Sequence, residues 1–172
     1  MYMPAITGSG VFTPDQIITN DELVEAFNAY AERFNAEHAD AIAAGEIEAK
    51  APSSSDFIVG ASGIEQRFVM DKFGVLDPEV MHPLLRQRDD EEPSIMAEMA
   101  LDACGKALAQ AGRRADEIDL VICAASNHER AYPAIAIEIQ QLLGAGGFAF
   151  DMNVACSSAT FGIQAAADMI RA

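Results

Sequence analysis

The sequence predicts an α/β protein organised around a parallel sheet. In the second half of the 172-residue chain, helical and strand patterns alternate as helix, strand, helix, strand, helix. Leu120-Val-Ile-Cys-Ala-Ala125 is a continuous apolar run, expected of a strand covered on both faces. The helical segments there are bounded by residue types that start or stop helices: Ser94 and Pro133 at beginnings, Gly112 and Gly144 at ends.

Taken in order, Ala5 to Phe12 is expected as a strand entering a turn at Thr13-Pro14-Asp15. Thr19 with Glu22 three residues on makes a capping box. Leu23, Phe27, Tyr30, Phe34, His38 and Ile42 then form one stripe of a long helix ending near Gly45. Ala51 to Ser55 is a linker, and Ser55 or Asp56 is placed to cap a short helix over Phe57-Ile58-Val59. Gly60, Ser62 and Gly63 break it before a strand over Ile64 to Met70. Asp71 to Pro93 is irregular yet too apolar for a solvated loop, so a folded excursion is expected. Ser94 caps a helix that runs to Gly112, a strand follows over Ile118 to Ala125, and Pro133 opens a helix ending at Gly144. Phe148 to Val154 is the last strand and Ser157 to Ala172 the last helix. That helix is apolar around nearly its whole circumference, the pattern of a buried helix.

Hydrophobic residues at 51 % against 22 % charged suit a packed core rather than disorder. The excess of 27 acidic over 11 basic residues sets the net charge at −16, which excludes nucleic acid and anionic lipid as partners. The acidic run Asp89 to Glu92 is expected as part of a solvated loop. No basic and apolar leader opens the chain, and its longest strongly apolar run is too short to span a bilayer. A soluble, cytoplasmic protein without membrane insertion is expected. Cys104, Cys123 and Cys156 lie far apart, so reduced thiols are expected. His38, His82 and His128 show no metal-ligand spacing with each other or with the cysteines, so no metal is expected. Gly8-Ser9-Gly10 lacks the third glycine of a dinucleotide loop, and Gly144-Ala-Gly-Gly147 precedes a strand, the wrong side for cradling phosphate.

One cysteine stands apart. Cys104 falls mid-helix and Cys123 mid-strand, where cysteine behaves as a small core residue. Cys156 occupies a strand-to-helix turn beside Ser157 and Ser158. Amide groups at a helix N-terminus favour an anionic sulfur, the nucleophilic form for acyl transfer, which makes Cys156 the candidate catalytic residue. His128 follows the end of a strand and is read as a loop histidine.

The sequence resembles β-ketoacyl-acyl carrier protein synthase III, a condensing enzyme of the thiolase superfamily. Its signatures are Gly63-Ile-Glu-Gln-Arg67, Ala109-Gln-Ala-Gly112 with Asp116-Glu-Ile-Asp-Leu120, and Ala131-Tyr-Pro133. Gln140-Gln-Leu-Leu-Gly144 and Phe150-Asp-Met-Asn-Val-Ala-Cys156 complete them. The resemblance covers most of the chain and implies the N-terminal half of a thiolase-like fold, a mixed but mostly parallel sheet with helices on both faces. It places a nucleophile, Cys156, at the N-terminus of a buried helix. Relative to the short acetyl-primed enzymes, residues 34–52 and 71–93 look like insertions. These and Asn153 to Phe161 resemble the β-ketodecanoyl synthase branch, which takes a medium-chain primer.

The implied reaction has two halves. Cys156 takes an acyl group from acyl-CoA, its own N–H joining an oxyanion hole of which one donor supplies about 3 kcal/mol. Malonyl-acyl carrier protein then loses carbon dioxide and its enolate attacks the acyl-cysteine. No cofactor is implied. The family's enolate-stabilising histidine and asparagine belong to its second half, and none of His38, His82 or His128 matches that histidine. Phe57 and Ala61 stand where family members carry a tryptophan and an arginine around the CoA adenine. Phe57, Tyr132 and Ser157 are thus the candidate substrate-binding residues. Tyr132 matches an aromatic that reaches into a partner's acyl tunnel, implying a homodimer. The carrier protein is acidic, so Arg67, Lys72, Arg86 and Arg88 are candidates for a local basic patch. Another thiolase-fold condensing enzyme, or a non-catalytic acyl-binding partner subunit, is the alternative.

Overall fold

The computed structural model describes residues 3–89 and 91–172; Asp90 of the acidic run and the first two residues of the chain lie outside the described set. The elements run β1 (Gln16–Thr19), α1 (Asn20–Glu37), α2 (Ala39–Ala43), α3 (Ser55–Ser62), β2 (Gln66–Val69), α4 (Lys72–Leu76) and α5 (Ile95–Ala111). A single 3-10 turn (Ala115–Glu117), β3 (Leu120–Ala124), α6 (Ile135–Leu143), β4 (Phe148–Met152) and α7 (Ser158–Arg171) complete them. They fall into two compact units, Thr13–Gln87 and the remainder.

In the Thr13–Gln87 unit, β1 and β2 pair antiparallel, with Gln16 opposite Val69 and Thr19 opposite Gln66. The capping box forms as expected: the Thr19 hydroxyl accepts from Glu22 N–H at 3.3 Å, and the Glu22 carboxylate accepts from Thr19 N–H at 3.0 Å. The long helix divides at His38, with α2 beyond it. Ser54, one residue ahead of the expected caps, starts α3 by accepting from Phe57 N–H at 3.1 Å. The excursion after β2 is folded. Asp71 caps α4 through Phe73 and Gly74 and also accepts from Leu84 N–H at 2.6 Å, tying the far side of the loop back to the helix start.

In the other unit, β3 and β4 pair in parallel with Leu120 opposite Phe148 and Ala124 opposite Met152. The described strands therefore make one parallel and one antiparallel pair. Side chains alternate across β3. Val121 and Cys123 face the core that Ala97 of α5 and Ile135, Ala136 and Ile139 of α6 complete. Ile122 and Ala124 face α7, which lies so close that a Cβ at Gly162 would stand 2.9 Å from the Ala124 Cβ.

Three expectations need correction. Ala5 to Phe12 is not a strand; it lies along α5, where a Cβ at Gly8 or Gly10 would collide with the carbonyls of Ala107 and Ala103. Pro133 does not open α6, which begins at Ile135, two residues after a cis Tyr132–Pro133 bond. Here α6 takes its cap from elsewhere: the Asp151 carboxylate accepts from Ile135 N–H at 2.9 Å and Ala136 N–H at 2.7 Å. The last helix is apolar, and among the described residues it is covered on one face only. Phe161, Ile163, Met169 and Ile170 are exposed, because only one face of α7 meets β3.

Candidate active site

The turn between β4 and α7 carries Cys156, and four side-chain contacts hold its shape. The Asn153 amide donates to the Ser126 carbonyl at 3.1 Å, and its oxygen accepts from Ala155 N–H at 3.0 Å. Buried Ser158, at the start of α7, accepts from Val154 N–H and donates to the Ala155 carbonyl, both at 2.8 Å. Between these clasps Ala155 adopts φ +48°, a left-handed conformation that costs a non-glycine residue about 1–2 kcal/mol. The turn is thereby made sharp immediately before Cys156. The Cys156 side chain is exposed and borders a cavity of about 330 Å³ with Ala124, Ser126, Asn127 and Ser158.

Cys156 thus sits open to solvent, two residues ahead of α7. Cys104 and Cys123 behave as core residues. Burial pushes the Cys104 thiol up; for Cys123, burial, then the Asp151 charge and Cys104, push it up to about 11. A thiol so placed is a poor nucleophile near neutral pH.

The other expected site residues lie on separate segments. Ser157 follows Cys156 and sits at the N-cap position of α7, where its side chain makes no capping hydrogen bond; Ser158 does the structural work in the turn. Tyr132 is 90 % exposed on the loop between β3 and α6. Phe57 is exposed on α3, in the other unit. Among the basic candidates, Arg67 donates to the Asn20 side chain, Lys72 pairs with Glu22 at 2.5 Å and Arg88 pairs with Glu98 at 2.6 Å.

Three features escaped sequence reasoning. Beside the Tyr132 loop, buried Glu138 accepts from Ser94 N–H at 2.5 Å, the Ser94 hydroxyl at 2.8 Å and Arg130 at 2.6 Å. Burial opposes its ionisation, but Ser94 and Arg130 outweigh that and hold the carboxyl below the usual range. In the same region Cys123, His128 and Asp151 converge, although no spacing in the sequence marks them as a group. On the α7 side of the sheet lies an open groove of about 880 Å³, lined by Ile122, Phe148, Ile163 and Met169 among others. No helix among the described residues is long and apolar enough to cross a membrane.

A scan of protein-family models finds none that matches. The β-ketodecanoyl-acyl carrier protein synthase of Pseudomonas aeruginosa is 57 % identical over 148 residues, 86 % of this chain and 42 % of that protein. A β-ketoacyl-acyl carrier protein synthase III of Bordetella petrii is 31 % identical over 100 % of the chain and 41 % of its own length. Among solved structures, 3-oxoacyl-acyl carrier protein synthase III of Aquifex aeolicus superposes with TM-score 0.64 at 23 % identity, over 96 % of this chain and 40 % of that one. The chain spans about two fifths of the length of these relatives. Over that span it is homologous to the β-ketoacyl-acyl carrier protein synthase III proteins and shares their thiolase-like α/β fold.

Proposed function

We propose that the chain carries the nucleophile of an acyltransferase that condenses a medium-chain acyl-CoA with malonyl-acyl carrier protein in fatty acid biosynthesis. The observation that carries this reading is Cys156, exposed on a sharp strand-to-helix turn of a chain that is 57 % identical over 148 residues to a β-ketodecanoyl synthase. The sulfur attacks the thioester carbonyl, CoA leaves as its thiol, and the acyl group rests on Cys156. The enolate left when malonyl-acyl carrier protein loses carbon dioxide then displaces Cys156 and gives the β-ketoacyl product. The chemistry takes place at thioesters alone, so no cofactor or metal enters it. Phe57, Ser157 and Tyr132 are proposed to contact substrate, Tyr132 across a homodimer, as befits an aromatic ring left 90 % exposed. The setting is the cytoplasm, where acyl-CoA and carrier protein are found.

Incubation with octanoyl-CoA followed by mass spectrometry tests the first half-reaction. One octanoyl adduct is expected on the peptide containing Cys156 and none in Cys156→Ala. An adduct on another peptide, or none with any acyl-CoA from acetyl to dodecanoyl, would refute the assignment. In the whole protein, product formation is expected to require malonyl-acyl carrier protein, whereas condensation of two acyl-CoA molecules without it would point to a different thiolase-fold reaction.

A further inference from the structure

The parallel ladder between β3 and β4 ends where Ala125 N–H donates to the Met152 carbonyl at 3.1 Å. Beyond that rung the two segments part: one becomes the loop with Ser126 and Asn127, the other the Cys156 turn and α7. A side chain supplies the next rung. The Asn153 amide donates to the Ser126 carbonyl at 3.1 Å while its oxygen accepts from Ala155 N–H at 3.0 Å. We propose that Asn153 is a positioning residue for Cys156, a bridge that fixes the sulfur relative to the Ser126–Asn127 wall of its cavity. The role rests on the acyl transfer proposed above.

Asn153 acts from behind that wall. Ser126 and Asn127 border both the Cys156 cavity and a second one of about 410 Å³, and Asn153 lines the second but not the first. Its effect on the sulfur therefore passes through Ser126 and Ala155 rather than through contact with substrate. A carboxamide suits the position, because the bridge needs a donor for one backbone group and an acceptor for another on a single planar side chain. A carboxylate would offer acceptors alone at neutral pH.

The magnitudes give the bridge its weight. The left-handed region disfavours alanine about five- to thirtyfold, and each neutral hydrogen bond shifts an equilibrium about two- to twelvefold. Ser158 contributes two such bonds, to Val154 and Ala155, and Asn153 two more, to Ser126 and Ala155. Without Asn153 the Ser158 pair only about balances the cost at Ala155, so the turn samples other conformations. A displacement of about 1 Å at a reacting atom can cost on the order of a hundredfold in rate. Asn153 itself is exposed, so replacing it opens no cavity in the core.

Acylation of the whole protein by octanoyl-CoA, timed beside alkylation of Cys156 by iodoacetamide, tests the role. Iodoacetamide needs only an exposed thiolate, whereas transfer from a bound thioester needs the sulfur held at the carbonyl. Asn153→Ala is expected to slow acylation at saturating octanoyl-CoA at least about tenfold while changing alkylation less than about threefold. Asn153→Asp keeps the acceptor for Ala155 N–H but lacks the donor for Ser126. Its charge, by holding the thiol protonated, slows both reactions alike, so the ratio of acylation to alkylation is expected to fall as it does in Asn153→Ala. A ratio unchanged in Asn153→Ala, or returned to the wild-type value in Asn153→Asp, would overturn the bridge. A wild-type protein that takes no octanoyl group would count instead against the acyl-transfer reading. Amide hydrogen exchange then judges the bridge by itself: Ala155 N–H is expected to exchange at least about tenfold faster in Asn153→Ala, and an equal rate would overturn it.

Discussion

Replacing Glu138 by Gln removes one negative charge from a cluster that joins three elements, with almost no change of shape. The wild-type carboxylate accepts from the Ser94 backbone, the Ser94 hydroxyl and Arg130, and so secures both the N-cap of α5 and the loop ahead of α6. A hydrogen bond to a charged partner is worth about 1.5–3 kcal/mol, and breaking a fully buried ion pair costs about 3–5 kcal/mol. The Arg130 and Glu138 side chains keep 29 % and 10 % of their exposure, so solvent reclaims part of the orphaned guanidinium. The glutamine carbonyl still serves one donor, but its NH2 faces another. About 2–3 kcal/mol of lost stability is therefore expected, read as a lower urea midpoint at unchanged slope. The pH dependence separates charge from shape. Because the folded carboxyl titrates below its ordinary value of 4.5, its contribution is present above that value and is lost as pH falls through the folded one. The gap between wild type and variant should be full at about pH 7 and should narrow as acid protonates the wild-type side chain. A gap under about 0.5 kcal/mol at neutral pH, or one that stays constant into acid, would refute this role for the Glu138 charge.

Gly162→Ala brings a methyl group to 2.9 Å from the Ala124 Cβ. An overpacking cost of about 1–3 kcal/mol outweighs the gain of about 1 kcal/mol in helix propensity. Thermal denaturation should show a net loss that Ala124→Gly relieves in the double variant, and strictly additive effects would contradict the contact. Iodoacetamide applied to the native chain should label Cys156 well before Cys104 or Cys123, because the latter two are half-buried with raised thiol values. Equal labelling of all three, read by peptide mapping, would mean that the turn or the core is not as described.

The parts of the fold that could be read from the sequence are those decided within a few residues. The Thr19–Glu22 box, the Ser94 cap and the glycine stops at Gly112 and Gly144 depend on neighbours three or four positions away, and all are present. What failed depends on distant partners. The apolar pattern of Ala5 to Phe12 suits a strand, but a strand needs an edge to pair with, and this segment rests on α5 instead. Pro133 is a good first helical residue in isolation, yet the carboxylate that starts α6 comes from Asp151 on β4. The burial inferred for α7 was a statement about composition, whereas burial is a property of what packs against a helix. Cys156 was conspicuous because its turn is written in consecutive residues. The cluster of Cys123, His128 and Asp151 is brought together by strand register, which no spacing rule reveals.

Ala155 links the durability of the proposed catalytic sulfur to a very small piece of the molecule. Its left-handed backbone persists only while Asn153 and Ser158 grip the chain on either side. Should that grip slip, Ala155 would relax toward an extended conformation and swing the thiol out of register, with both sheets and every long helix intact. Gentle heating would then silence the chemistry while the bulk of the protein still looked native to any spectroscopic probe of secondary structure.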